Sequence, residues 1–174
     1  MGVALKYKSE TPVIYARVLN EPLFHGEESA VVLDVDGVLM RQLPNFHKGE
    51  RGADTYCVYD GAVNFLYRLQ SRVGEKNVVL WSSCQNYIDF FDGKLFRNIR
   101  HHVIGLCEMD FGGLPVLCKD LHRVHRKTSR LVAVEDAVTE SECCFFPTGR
   151  VVRVPPKKAR QDYSYLFQQI KDMF

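Results

Sequence analysis

The chain has no apolar run of about 18 residues, the length a membrane-spanning helix needs, so nothing in it reads as a span. Its first 20 residues carry Lys6, Lys8, Glu10 and Arg17 and no apolar stretch of signal-peptide type. Charge of neither sign dominates. Lys and Arg number 23 and Asp and Glu 21, a net +2, far from the basic balance of a protein that grips nucleic acid directly. The six cysteines (Cys57, Cys84, Cys107, Cys118, Cys143, Cys144) include no C-x-x-C pair, which argues against zinc ligands and disulfides. Several lie in or beside apolar stretches and read as buried free thiols of a reducing compartment. Repeats, low-complexity tracts and a domain linker are also lacking. What remains is a chain of 174 residues, 46% hydrophobic and 25% charged: one ordinary globular domain with material for a core. The expected setting is intracellular, nucleus or cytoplasm, with no nucleic-acid or membrane partner. A monomer or weak homo-oligomer is expected.

The most informative stretch is Val31-Val32-Leu33-Asp34-Val35-Asp36-Gly37-Val38-Leu39. A short apolar run rich in β-branched residues and bounded by Gly reads as a buried strand. It ends in two carboxylates two residues apart. If strand geometry persists, Asp34 and Asp36 point to one side. Like charges that close repel unless something positive lies between them. A divalent cation with oxygen ligands, often Mg2+, is the usual solution. The C-terminal edge of a parallel sheet is also where α/β proteins hold their ligands. Taken alone, a D-x-D after an apolar run also arises as a turn or a helix cap.

Three further segments follow in order. Val78 to Trp81 is an apolar strand ending in Ser82-Ser83; Ser82 can donate to a phosphoryl oxygen or cap the next helix. Lys119 follows an apolar strand and can neutralise a phosphate and a crowded carboxylate, or lie solvated at the surface. Leu131 to Val134 is a strand ending in Glu135-Asp136, a loop cap or the rest of a metal's ligand set. Strands alternating with helices predict an α/β fold with a parallel sheet. Asp60 is expected to cap a helix through Val73, with Ala62, Phe65, Leu66, Leu69 and Val73 as its apolar stripe. A second helix is expected near Gln85 to Phe91. Strands are expected at Val103 to Cys107 and Leu114 to Leu117, joined by Gly112-Gly113. Val151 to Val154 is expected as the last strand, and Asp162 to Phe174 as a terminal amphipathic helix bearing Tyr165, Leu166, Ile170 and Phe174.

These four segments resemble the haloacid dehalogenase superfamily of phosphotransferases. More narrowly, they resemble its branch of RNA polymerase II C-terminal-domain phosphatases, the Fcp/Scp-like proteins related to NLI-interacting factor. The signature D-x-D-x-(T/V) of that branch is matched by Asp34, Asp36 and Val38. Ser82 follows Asp34 by 48 positions, Lys119 follows Ser82 by 37, and Glu135 follows Lys119 by 16, spacings that suit the branch. Lys119-Asp120-Leu121 resembles its V-K-D-L phrase, and the tail from Cys144 to Val154 resembles its aromatic, Pro, turn and final strand. The likeness runs from Ala30 to the C-terminus. It implies a Rossmann-like fold over residues 30–174, a central parallel sheet flanked by helices. Residues 1–29 would be an N-terminal extension packing on that core.

The resemblance implies roles. Asp34 would be the nucleophile that forms an aspartyl-phosphate. Asp36 would be general acid, then general base. Ser82 and Lys119 would hold the phosphoryl oxygens. Mg2+ would be held by Asp34, the backbone carbonyl of Asp36 and Asp136. Glu135, also counted with the metal set, would hold a water ligand or Lys119. The 20 residues from Arg41 to Asp60 are too few for a cap domain and predict a flap or hairpin. A weakly covered site suits a phosphorylated protein or peptide as partner, the polymerase tail being the branch's own. Pro44, Phe46, Tyr56 and Tyr59 are candidates for an aromatic peptide pocket in the flap. Two departures stand out: Glu135 replaces an Asp, and Val58-Tyr59-Asp60-Gly61 replaces the branch's Arg-Pro before the helix.

Beyond Lys119, the next eleven residues carry His122, Arg123, His125, Arg126, Lys127 and Arg130. They read as a solvated face or as a basic rim that steers phosphorylated partners. The expected function is a Mg2+-dependent phosphoserine/phosphothreonine protein phosphatase. The competing readings are an inert scaffold with the same fold and a small-molecule phosphatase.

Overall fold

The computed structural model describes residues 13–16, 19–43, 55–94, 99–136, 150–155 and 161–174. The expected tail around Phe145-Phe146-Pro147, the flap residues Pro44 and Phe46, and Cys143 and Cys144 lie outside these. So do residues 1–12, 17 and 18 of the extension.

Strands β1 (Val13–Tyr15), β2 (Ala30–Leu33), β3 (Met40–Leu43) and β4 (Thr55–Val58) lead to helix α1 (Ala62–Val73). β5 (Val78–Ser82), α2 (Gln85–Lys94), β6 (His101–Ile104), β7 (Cys107–Phe111) and β8 (Leu114–Cys118) follow. β9 (Leu131–Glu135), β10 (Val151–Arg153) and α3 (Tyr163–Lys171) complete the order. Six strands form one sheet in the order β1-β6-β5-β2-β9-β10, and every pairing in it is parallel. The expected α/β architecture is therefore present, with a two-stranded antiparallel flap, β3 against β4, after the first core strand.

Parallel strands buried on both faces read as continuous apolar runs, and these do. Alternate residues diverge to two cores. Val31, Leu33, Val78, Leu80, Val132 and Val134 join residues of all three helices: Phe65 and Leu69 of α1, Ile88 of α2, Leu166 and Ile170 of α3. Val32, Val79, Trp81, Val103, Leu131 and Ala133 face the other way. That second face is covered by the N-terminal segment (Ala16, Leu19, Phe24) and by Leu121 and Val124 after β8. Phe24 N–H donates to the Val124 carbonyl and Arg126 N–H to the Phe24 carbonyl, both at 3.0 Å. All four residues of β2 are fully buried. At about 1.5–3 kcal/mol for each buried Val or Leu, this anchors the acidic loop that follows.

Local differences from the sequence reading have local causes. The expected strand Val103 to Cys107 breaks at Gly105, whose φ is +89°. Its first part lies in the sheet, and Cys107 begins the β7–β8 hairpin instead. Gly112 and Gly113, with φ of +60° and +93°, close that hairpin as expected of a two-residue turn. Asp60 does not cap α1; Gly61, at φ +86°, holds the N-cap position without a side-chain bond. Asp162 does cap α3, its carboxylate accepting from Ser164 and Tyr165 N–H. Tyr165, expected on the apolar stripe, is 64% exposed. Cys57, Cys84, Cys107 and Cys118 are free thiols. No helix among the described residues is long and apolar enough to cross a membrane.

Tyr163 ties α3 to the loop after β2. Its hydroxyl donates to the Val38 carbonyl at 2.6 Å, and its ring lies against Phe65 at 4.9 Å between centroids. Burial, then the neighbouring Tyr59, pushes its phenol well above the ordinary value of 10.0. The native state thus favours the protonated phenol. The stability this contributes is complete below pH 10 and is lost as pH rises above it. Tyr163→Phe is expected to cost about 1–3 kcal/mol at neutral pH, the Val38 carbonyl losing its donor. It is also expected to flatten the alkaline loss. Urea titrations at neutral pH and above pH 10 check both; an equal alkaline slope in the variant would sink the assignment.

Candidate active site

β2 lies between β5 and β9. The chain leaves β2 toward β5 and β6, then returns on the other side to β9 and β10, so its direction of winding reverses beside β2. In open α/β sheets a ligand crevice lies at such a reversal, outside the C-terminal strand ends. Asp34 directly follows β2, Ser82 ends β5, and Glu135 ends β9. Because the strands are parallel, all three emerge at one edge. Lys119, directly after β8, reaches the same point.

There the Lys119 ammonium lies 3.1 Å from Oδ1 of Asp34 and 3.0 and 3.1 Å from the two carboxylate oxygens of Glu135. Lys119 and Glu135 are buried, and the Asp34 side chain is 14% exposed. Burial alone would lower the Lys119 pKa, but the charges and hydrogen bonds of Glu135 and Asp34 outweigh it and raise it above the ordinary value. Lys119 therefore stays cationic. Of the two positions the sequence allowed Glu135, it takes the one on Lys119, with both oxygens on the ammonium. The extra methylene that distinguishes Glu from Asp supplies this reach.

Strand geometry does not persist through the D-x-D. The amides of Leu39 and Met40 both donate to the Val35 carbonyl, and Gly37 N–H donates to Met40 O at 2.8 Å. The chain reverses at Gly37, with φ of +74°. Asp34 keeps its Oδ1 on Val35 N–H at 2.8 Å, while Asp36 turns to a different partner, the hydroxyl of Tyr87. Burial, the Asp36 charge and this bond push the Tyr87 phenol up to about 12, so it remains a donor at neutral pH. Asp136 closes in on the reversal. A Cβ at residue 37 would stand 1.9 Å from its Oδ2, so only Gly allows both the backbone angle and the approach. The Gly37 carbonyl accepts from Gln161 Nε2 at 3.0 Å.

Ser82 is buried, and its hydroxyl accepts from Cys84 N–H at 3.1 Å. This is a local turn bond ahead of α2, which begins at Gln85, and not a helix cap; it leaves the hydroxyl proton available to donate. Beside it, a cleft of about 330 Å³ is lined by Tyr15, Ala16, Ser83, Ile104, Leu106 and Leu117. The basic stretch after Lys119 is largely engaged. Arg123 pairs with Asp120 at 2.8 Å, and Lys127 and Arg130 both reach Glu27. His125 is buried, with one ring nitrogen on the Glu28 carbonyl and the other on Lys127 N–H.

Could this group hold a metal? Two carboxylates, of Asp34 and Glu135, contact one ammonium, and Asp36 and Asp136 follow them closely in the chain, so the formal charge of these five side chains is negative. Among the described residues no three His, Cys, Asp or Glu side chains are gathered as a metal-holding group. The expected set needs fewer side chains. It comprises the Asp34 and Asp136 carboxylates with the Asp36 carbonyl, and the close approach of Asp136 to Gly37 brings it beside the Asp36–Gly37 peptide. These hard oxygen donors fit Mg2+.

Sequence reasoning missed Tyr87, Gln161 and Tyr163. Tyr87 had a signal: it lies in the first turn of the helix after β5, the end of that helix nearest the strand's C-terminal edge. Gln161 and Tyr163 had none, since they reach the loop after β2 from more than 120 residues away. Compared with known families the chain matches no family model, and no curated protein sequence matches it.

Proposed function

We propose that the chain is a Mg2+-dependent phosphatase of the haloacid dehalogenase type, acting on phosphoserine or phosphothreonine in a protein. One observation carries this reading. A buried ammonium joins Asp34 to the C-terminal sheet edge at the point where the winding reverses. In this reading an Asp34 oxygen attacks phosphorus and the bond to the leaving oxygen breaks. Asp36 delivers a proton to that oxygen, leaving an acyl phosphate on Asp34. Asp36 then takes a proton from water, which attacks the acyl phosphate and releases inorganic phosphate. Lys119 and the Ser82 hydroxyl hold phosphoryl oxygens as charge shifts among them. Asp34, the Asp36 carbonyl and Asp136 would hold Mg2+, which when bound supplies positive charge beside those oxygens.

A protein substrate, rather than a small metabolite, is supported by two features. The insertion between β2 and α1 is a two-stranded flap at its described ends, and the cleft beside Ser83 offers an apolar seat for a neighbouring side chain. The RNA polymerase II tail is one such substrate. The test is hydrolysis of p-nitrophenyl phosphate and of a phosphoserine peptide, before and after chelation. Turnover is expected to vanish with EDTA and return with added Mg2+. Turnover indifferent to chelation would overturn the metal assignment. A folded protein inert toward both compounds would overturn the phosphatase reading in favour of a scaffold.

A further inference from the structure

We infer that Gln161 is a positioning residue on which cation affinity depends: it fixes the Gly37 carbonyl and so keeps the reversal after β2 in the shape that holds the Asp36 carbonyl beside Asp136. The inference rests on the Mg2+ set of the proposed function and deepens it, since Gln161 lies outside that set. Gln161 Nε2 donates to the Gly37 carbonyl at 3.0 Å. Two positions on, the Tyr163 hydroxyl donates to the next carbonyl, that of Val38, at 2.6 Å. Between them Asp162 caps α3, and Leu166 and Ile170 bury that helix in the core. The start of α3 thus grips two successive carbonyls of the loop from a rigid mount.

The two bonds differ in what surrounds them. Tyr163 is buried and its ring packs on Phe65, so its bond belongs to the fold. Gln161 is half-buried and lines an open cleft of about 520 Å³ with Asp60, Asn64 and Arg68, so little packing depends on it. Its bond matters at Gly37. That residue sits at φ +74°, with its N–H held by the Met40 carbonyl at 2.8 Å and its own carbonyl held by Gln161. Glycine has the widest backbone freedom of any residue, so a Gly37 held only at its N–H samples other angles. Such excursions move the Asp36 carbonyl relative to the Asp136 carboxylate, whose Oδ2 would lie 1.9 Å from a Cβ at residue 37. The loop would then have to be reordered on Mg2+ binding, and affinity falls by that cost.

The experiment titrates Mg2+ into wild type, Gln161→Leu and Gln161→Asn by isothermal titration calorimetry, with thermal unfolding in EDTA measured alongside. Leucine keeps the bulk without the donor, and asparagine leaves the amide one methylene short of the carbonyl. Either variant carries the test if the other does not fold. We expect the Mg2+ dissociation constant to rise about tenfold or more in both, the scale on which groups that orient metal ligands act. Tm in EDTA should stay close to wild type. The Mg2+ concentration that half-saturates p-nitrophenyl phosphate turnover should rise by the same factor, with KM for that compound at saturating Mg2+ little changed. Wild-type Mg2+ affinity in the variants would overturn this inference alone. So would a weakened affinity that comes with a large fall of Tm in EDTA, the mark of a general support of the fold. A wild type that binds no Mg2+ would overturn the metal assignment of the proposed function, and this inference with it.

Discussion

Lys119→Met is expected to lower the unfolding free energy by about 3–5 kcal/mol at neutral pH. The reason lies in burial, not in the number of ion pairs. An exposed Lys–carboxylate pair contributes at most about 1 kcal/mol, and Lys127 with Glu27 is such a pair. Lys119 is different, because its side chain is 4% exposed and that of Glu135 is fully buried. Methionine fills nearly the same volume but carries no charge, so Glu135 keeps its burial and loses the ammonium that both its oxygens contact. Its carboxyl would then favour the protonated form in the folded state. A folded pKa raised above the unfolded one gives stability that is complete at low pH and is lost as pH rises. The Lys119→Met defect should therefore shrink as pH falls toward about 4, the ordinary range of a glutamate. Lys119→Met combined with Glu135→Leu should recover much of the loss, because an apolar pair often replaces a buried ion pair without penalty. Urea unfolding of the two singles and the double, run as a cycle, reads the coupling. A single-variant loss under about 1 kcal/mol with no coupling would mean that the triad is solvated, and the burial argument would fall.

The same residues show where a sequence is legible. Val31 to Leu33, Val78 to Trp81 and Leu131 to Val134 announce themselves as strands because a parallel sheet is apolar on both faces. Their parallel pairing then brings Asp34, Ser82 and Glu135 to one edge without further information. The site's polar framework was legible to that extent. The partnership of Glu135 with Lys119 was open, since the spacing of 16 residues is compatible with either a water ligand or the lysine. It is decided by where β8 ends, and that depends on Gly105 breaking an expected strand in two. The D-x-D was open between a continued strand and a turn; the turn forms, with Gly37 at φ +74° making the reversal. Tyr87, Gln161 and Tyr163 reach the loop through tertiary packing, which local patterns do not encode. The cover on the second face was also hidden. Leu121 and Val124 lie in a stretch dense with basic residues, and their burial follows only from the sheet above them.

Asp34→Asn separates chemistry from stability in a way that Lys119→Met cannot. Asparagine has nearly the shape of aspartate and keeps an oxygen to accept from Val35 N–H, the bond that fixes the side chain now. It removes one negative charge from a site where two carboxylates share one ammonium. Lys119 keeps Glu135, and the repulsion between the two acids disappears. The unfolding free energy should therefore change by no more than about 1 kcal/mol, the scale of a single hydrogen bond between neutral groups. Turnover should behave otherwise. An amide oxygen does not form the acyl phosphate, so Mg2+-dependent hydrolysis should fall by roughly 10⁴-fold or more, the scale on which removal of a covalent nucleophile acts. Chemical unfolding and phosphate release on the same preparation test both halves. A stable variant that still hydrolyses p-nitrophenyl phosphate at a tenth of the wild-type rate would mean that Asp34 is not the nucleophile. A stable and inert variant, beside an active wild type, would tie the reaction to this carboxylate, because the fold and the Lys119–Glu135 pair around it would be intact.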